Sequence, residues 1–150
     1  MLGKIVVPLR ALDAFIIILE QEHFQALDDR WERTRQQGRE LSESFPALQS
    51  DYAAALNYSN EAEQTRGRRK ADFAQRVEER GRISNWATAA EVSDADERME
   101  KAGIAMDLAT QKAFQRQQEL ATAESKVASA KENLALFSQE MRRCEAELKG

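Results

Sequence analysis

From Val92 onward, apolar side chains recur at alternating steps of three and four residues. The series runs Val92, Ala95, Met99, Ala102, Met106, Ala109, Ala113, Arg116, Leu120, Ala123, Val127, Ala130, Leu134, Phe137, Met141, Cys144 and Leu148. Sixteen of these seventeen positions are apolar, Arg116 being the exception. A 3.5-residue repeat sustained over eight heptads predicts a helix supercoiled around a partner along one narrow seam. At 1.5 Å per residue such a helix is roughly 85 Å long. Its layers alternate in size: Met99, Met106, Leu120 and Leu134 belong to one set, while Ala95, Ala102, Ala109, Ala123 and Ala130 belong to the other. Small residues at every second layer permit close helix approach and call for large side chains opposite.

The first half of the chain supplies those large side chains. Phe24, Leu27, Trp31, Thr34, Gly38, Leu41, Phe45, Leu48, Tyr52 and Ala55 step by three and four as well. Upstream, Leu9, Leu12, Ile16 and Leu19 form a similar run, offset by a local change of register. Pro8 fits the first turn of a helix, so the helix is expected to start there. Pro46 lies inside the pattern, where it either kinks the helix or, as the alternative, breaks it at Ser44 to Pro46. Residues 57–78 are more polar and predict a weakly packed helical extension. Gly81, Ser84 and Asn85 bring turn chemistry. Thr88 with Glu91, and Ser93 with Asp96, both have capping-box spacing for a second helix. The prediction is an all-α fold: a long antiparallel two-helix coiled-coil hairpin forming a single elongated unit. Arm one covers about 8–78, the elbow about 79–90 and arm two about 91–149.

Composition agrees with that pattern. Of 150 residues, 32% are charged, and only two prolines and six glycines interrupt a chain rich in strong helix formers. A formal net charge of −4 is too small to imply a dedicated nucleic-acid binder. One cysteine, Cys144, rules out an intrachain disulfide, and one histidine, His23, rules out a Cys/His metal set. The longest strongly apolar stretch, Ala14 to Leu19, is too short for a membrane span or a signal-peptide core. The expected location is therefore the cytoplasm, without membrane insertion.

Candidate chemistry is sparse. There is no Ser–His–Asp set, no glycine-rich phosphate loop and no carboxylate pair with a plausible pocket. A two-helix pair also offers no concave cavity that excludes water. The expectation is a non-enzymatic protein without a cofactor. Cys144 falls in the seam and is expected to be a small core residue facing the region around Leu12 to Ile16. His23 flanks the change of register and is expected at the surface.

The basic stretch Arg66, Arg68, Arg69, Lys70, Arg76, Arg80 and Arg82 precedes an acidic one at Glu91, Asp94, Asp96, Glu97, Glu100 and Asp107. Folding back at the elbow sets the two side by side. Cross-arm charge pairing that fixes register is the first expectation, with a protein-docking tip as the other. Nucleic-acid contact is disfavoured, because the neighbouring acids cancel the field that a phosphate backbone needs. Around the elbow, Phe73, Val77, Ile83 and Trp86 form either a small cap or an exposed anchor patch for a partner. The run Phe15, Ile16, Ile17, Ile18 and Leu19 is apolar on all sides, which one partner helix cannot cover. Some of these residues should face another subunit, a third short helix or a second copy.

With these residues in view, the chain resembles the small stalk proteins of bacterial type III export systems, flagellar or injectisome, that sit at the export ATPase. The likeness rests on the lead Lys4-Ile5-Val6-Val7-Pro8-Leu9-Arg10-Ala11-Leu12, on the length and hairpin layout, and on the polar elbow Ile83-Ser84-Asn85-Trp86. The resemblance implies paired chain ends entering an export ATPase hexamer, and a mid-chain region that contacts the export gate protein and can escort chaperones. Leu12, Ile16, Ile17, Ile18, Leu19, Phe137, Met141 and Leu148 would then belong to the ring-facing end. Phe73, Val77, Ile83 and Trp86 would belong to the gate-facing elbow. The alternatives are a structural coiled-coil spacer and a helix-binding adaptor, neither with an ATPase contact.

Overall fold

The computed structural model describes the backbone of residues 9–149 and the side chains of residues 17–149. Two α-helices account for 95% of it, α1 (Leu9–Gly81) and α2 (Ala89–Lys149), packed against each other as an all-α helical hairpin. The predicted start at Pro8 lies outside the described residues. The turn occupies residues 82–88, inside the expected elbow.

Local chemistry explains where the helices stop and start. At the end of α1, the Arg82 amide donates to Glu78 O at 3.1 Å and the Ile83 amide donates to Arg80 O at 3.3 Å, tightening the last turn. Thr88 and Glu91 form the expected capping box. The Glu91 amide donates to Thr88 Oγ1 at 3.2 Å, and the Thr88 amide donates to Glu91 Oε2 at 3.1 Å. The second candidate pair, Ser93 and Asp96, lies inside α2 and caps nothing.

Helix α1 continues through Pro46, so the alternative of two separate helices falls. Proline lacks the amide that would bond Ser42 O, and nearby the Ser44 hydroxyl donates to Leu41 O at 2.9 Å. The chain divides into two compact units at this proline. One contains residues up to Phe45 with those from Ser129 onward, and the other is Pro46–Ala128.

All seventeen predicted seam positions of α2 are buried or half-buried, while nearly every other α2 side chain is exposed. Arg116 holds its seam position by lying over the Tyr58 ring at 4.8 Å and pairing with Glu119 at 2.8 Å. Leu27 through Ala55 keep the predicted seam of α1, and the same stepping continues to buried Ser59 and Ala62. Residues 57–78 are thus not uniformly loose. Phe24 is the exception at the other side: assigned to the seam by its spacing, it is exposed.

Register is fixed within each unit by close contacts. In the first, a Cβ added at Gly38 would lie 3.9 Å from Phe137 Cβ. In the second, a Cβ at Gly103 would lie 3.1 Å from the Phe73 ring. The same offset sets Trp31 opposite Cys144 and Phe45 opposite Ala130 in the first unit, and Tyr52 opposite Ala123 in the second. Large residues meet small ones, as the alternating layers require.

Candidate interaction surfaces

Cys144 is completely buried, as expected, and makes no disulfide. Its surroundings differ from the expectation. It lies near the Arg30 guanidinium, at the level of Leu27 to Thr34, and not beside Leu12 to Ile16. The hairpin pairs residues counted back from the turn, and its arms are unequal, with 73 residues in α1 and 61 in α2. Matching the chain ends therefore misplaced the partner by about four turns of helix.

That register separates the residues assigned to the ring-facing group. Phe137, Met141 and Leu148 are half-buried in the seam, with Phe137 against Gly38. Ile17, Ile18 and Leu19 are about half-exposed, Ile17 at 53%. The side chains of Leu12, Phe15 and Ile16 lie outside the described residues. Leu19, His23, Phe24 and Leu27 line, with Glu147, an open hollow of about 610 Å³. His23 is exposed, as expected. Arg30 ties the two helices by pairing with Glu140 and reaches Glu147 at 3.6 Å. The hydrogen bond to Glu140 holds the Arg30 guanidinium protonated beyond its ordinary range. The Trp31 indole N–H in this unit is buried without an acceptor, a local cost that packing must offset.

The four elbow residues divide between the two roles foreseen for them. Phe73 packs into the seam on Gly103, and Ile83 is half-buried, so these two close the hairpin. Val77 is exposed, and Trp86 is 94% exposed. Trp86 does not hang from a slack loop. Its own amide donates to Ser84 Oγ at 3.2 Å, and the next amide, of Ala87, donates to Ser84 O at 3.0 Å. The turn is organised by hydrogen bonds while its largest apolar side chain points to solvent.

The expected cross-arm charge pairing is largely absent. Among the described residues, only Arg80–Asp96 joins the basic and acidic stretches across the turn. Arg76, Arg98 and Lys101 pair instead with acids three or four positions away on their own helix, and Arg82 in the turn pairs back to Glu78 on α1. Extended side chains reach such partners more readily than the opposite arm. Arg76 lowers the Glu79 carboxyl below its usual range, and Lys101 does the same to Glu97.

One surface was missed altogether. Ile104, Leu108 and Phe114 are exposed apolar residues on the outer side of α2, with Phe114 at 62%. In heptad terms they sit farthest from the seam, and a search for one buried stripe passes over them. The signal was present as low charge: between Ala102 and Gln118 only Asp107, Lys112 and Arg116 are ionic.

Among the described residues, no group of three or more His, Cys, Asp or Glu side chains is placed to hold a metal, and no helix is long and apolar enough to cross a membrane. Comparison with protein-family models, with curated proteins and with solved structures found no match.

Proposed function

We propose that this chain is a non-enzymatic coiled-coil stalk or escort protein of a bacterial type III export apparatus, coupling the export ATPase to the export gate. The observation that carries the reading is Trp86, displayed on a hydrogen-bonded turn. A tryptophan held ready in this way gives a partner a large anchor at low ordering cost. Val77 adds apolar surface in the same unit. In the other unit, Ile17, Ile18 and Leu19 offer a second apolar surface, which suits the ATPase contact that the family resemblance implies. Type III export also supplies the cytoplasmic location and the chaperones expected for such a protein.

A direct test is co-purification with an export ATPase and, separately, with the cytoplasmic part of an export gate protein. Ile17→Asp with Ile18→Asp should abolish ATPase capture while helix content is unchanged. Trp86→Ala should abolish gate capture and leave ATPase capture intact. Retention of both partners by both variants rejects the coupling role.

The helix-binding adaptor is the second reading, favoured by exposed Ile104 and Leu108, four residues apart on one face of α2. An adaptor loses its partner on Leu108→Asp and is indifferent to Trp86→Ala.

A further inference from the structure

The outer side of α2 changes character along the helix. With Met99, Met106, Ala113 and Leu120 in the seam, three positions of each heptad lie farthest from α1. Just after the turn these positions hold Asp94, Glu97, Glu100 and Lys101, the charged exterior that solvated helices carry. Of the ten such positions from Ile104 to Ser125, Asp107 alone is charged, and it lies at the border of the face. All ten are exposed. Ile104, Leu108 and Phe114 are each more than half exposed, and amides, hydroxyls and an alanine fill the rest. The stretch lies wholly within the Pro46–Ala128 unit. It spans about 32 Å by the helical rise.

Such a face is compatible with an identical copy of itself. Two-fold association presents the same surface from both molecules, which one-signed charge opposes and neutrality permits. The residue order goes further. In antiparallel pairing about an axis between Phe114 and Gln115, Ile104 of each copy faces Ser125 of the other, and Gln111 faces Gln118. Leu108 falls beside Ala121 and Thr122 of the other copy. The two Phe114 rings meet at the axis on one side, and the two Gln115 amides meet on the other. Large aliphatic residues thus oppose small ones, and amides oppose amides. An amide both donates and accepts, so it satisfies its own kind. Gln115 donates to Glu119 Oε1 at 3.3 Å and keeps its carbonyl and second N–H for that contact.

We infer that the outer face of α2 from Ile104 to Ser125 joins a second copy of this chain, the two α2 helices packing antiparallel about a two-fold axis between Phe114 and Gln115. A face with one charge offers no sign by which to select a different protein, whereas its residue order matches itself. It is short beside interfaces that bury about 1,200–2,000 Å² in total, so the dimer is weak, with a dissociation constant on the order of 10–100 μM. The inference does not rest on the export role, since neither Trp86 nor Ile17 lies on this face. It assigns to a second copy the surface that the adaptor reading gives to a foreign helix.

Sedimentation velocity of the full-length chain, from about 5 to 500 μM, tests it across the expected constant. Phe114→Glu and Phe114→Lys each bring two like charges together at the axis, and each should weaken dimerisation by about tenfold or more. An equimolar mixture of the two variants should associate again, because opposite charges then meet there. Leu136→Gln removes an exposed apolar residue of α2 outside the stretch and should leave the constant within about twofold. Phe114 is exposed, so helix content by circular dichroism should be unchanged in its variants. Gln111→Cys combined with Gln118→Cys should give an interchain disulfide on mild oxidation at high concentration, and either change alone should give none. A monomer at every concentration, association unaffected by the Phe114 variants, or a mixture that fails to associate would overturn the inference. Efficient bridging by a single cysteine variant would also overturn it, since the axis would then lie elsewhere.

Discussion

In the unit made by residues up to Phe45 and from Ser129, large residues meet small ones across the seam, with Phe137 against Gly38, and charge ties the helices from outside. Arg30 reaches both Glu140 and Glu147, over a layer that contains Leu27, Trp31 and the fully buried Cys144. In the Pro46–Ala128 unit the buried residues are small: Ala62, Ala102 and Ala113, with Ser59. Here the helices approach closely enough for Phe73 to crowd Gly103. The uncovered surfaces differ accordingly. The first unit leaves aliphatic residues exposed on α1, and the second leaves cations in the seam and a tryptophan on the turn. One heptad rule therefore builds two kinds of contact surface, according to what each layer holds.

The boundary itself gives the largest expected effect. Pro46→Ala restores an amide inside a continuous helix and should raise stability by up to about 3 kcal/mol in urea titration. No gain would mean that the proline is already accommodated without loss. Next comes the small-residue seam. Ala113 is 1% exposed, so Ala113→Leu should cost about 1–3 kcal/mol through overpacking. Ala135→Leu, on the exposed face of the other unit, should change stability by less than about 0.5 kcal/mol. Equal costs at the two sites would erase the distinction between seam and outer face.

A smaller effect belongs to the turn. Thr88→Ala removes one half of the capping box and should cost about 1 kcal/mol, while Glu91→Gln retains most of the cap. Smallest is the charge contribution. Arg30→Ala should lower stability slightly, and the difference should shrink in high salt, as expected for a pair open to solvent. Glu79 and Glu97 have lowered carboxyl pKa values, so their contribution is present above the usual carboxylate range and fades as pH falls through it. Lys101 has a raised pKa, and its contribution fades only as pH rises through that higher value.

Most of the architecture was legible because a coiled-coil seam is a local periodic signal. Every α2 position from Val92 to Leu148 in the 3.5 repeat is shielded, and Arg116 was the one apparent misfit. Tyr58 resolves that misfit, but its ring lies on the other helix and no repeat within α2 could reveal it. Pairing across the hairpin was less legible. The elbow had been bracketed correctly, and counting outward from it gives the observed partner of Cys144, whereas matching chain ends does not. Ser59 and Ala62 were passed over because a small or polar residue in a layer carries little hydrophobic signal. Phe24 carried the signal but is exposed, in an open hollow that it shares with Glu147. Nothing in a charge pattern distinguished cross-arm pairs from pairs within one helix, and there the shorter reach prevailed.

The antiparallel register underlies every surface described above, and Cys144 tests it most directly. Leu27→Cys, Trp31→Cys and Thr34→Cys each place a second thiol at the level of Cys144, where a disulfide requires Cα separations of about 4.4–6.8 Å. Mild oxidation at low protein concentration should give an intrachain bridge in at least one of the three and a monomer in the unaltered chain. Leu12→Cys and Ile16→Cys should give none. Rapid Cys144–Cys144 dimer formation with no intrachain bridge in any variant would contradict the hairpin and replace it with a parallel pair of chains.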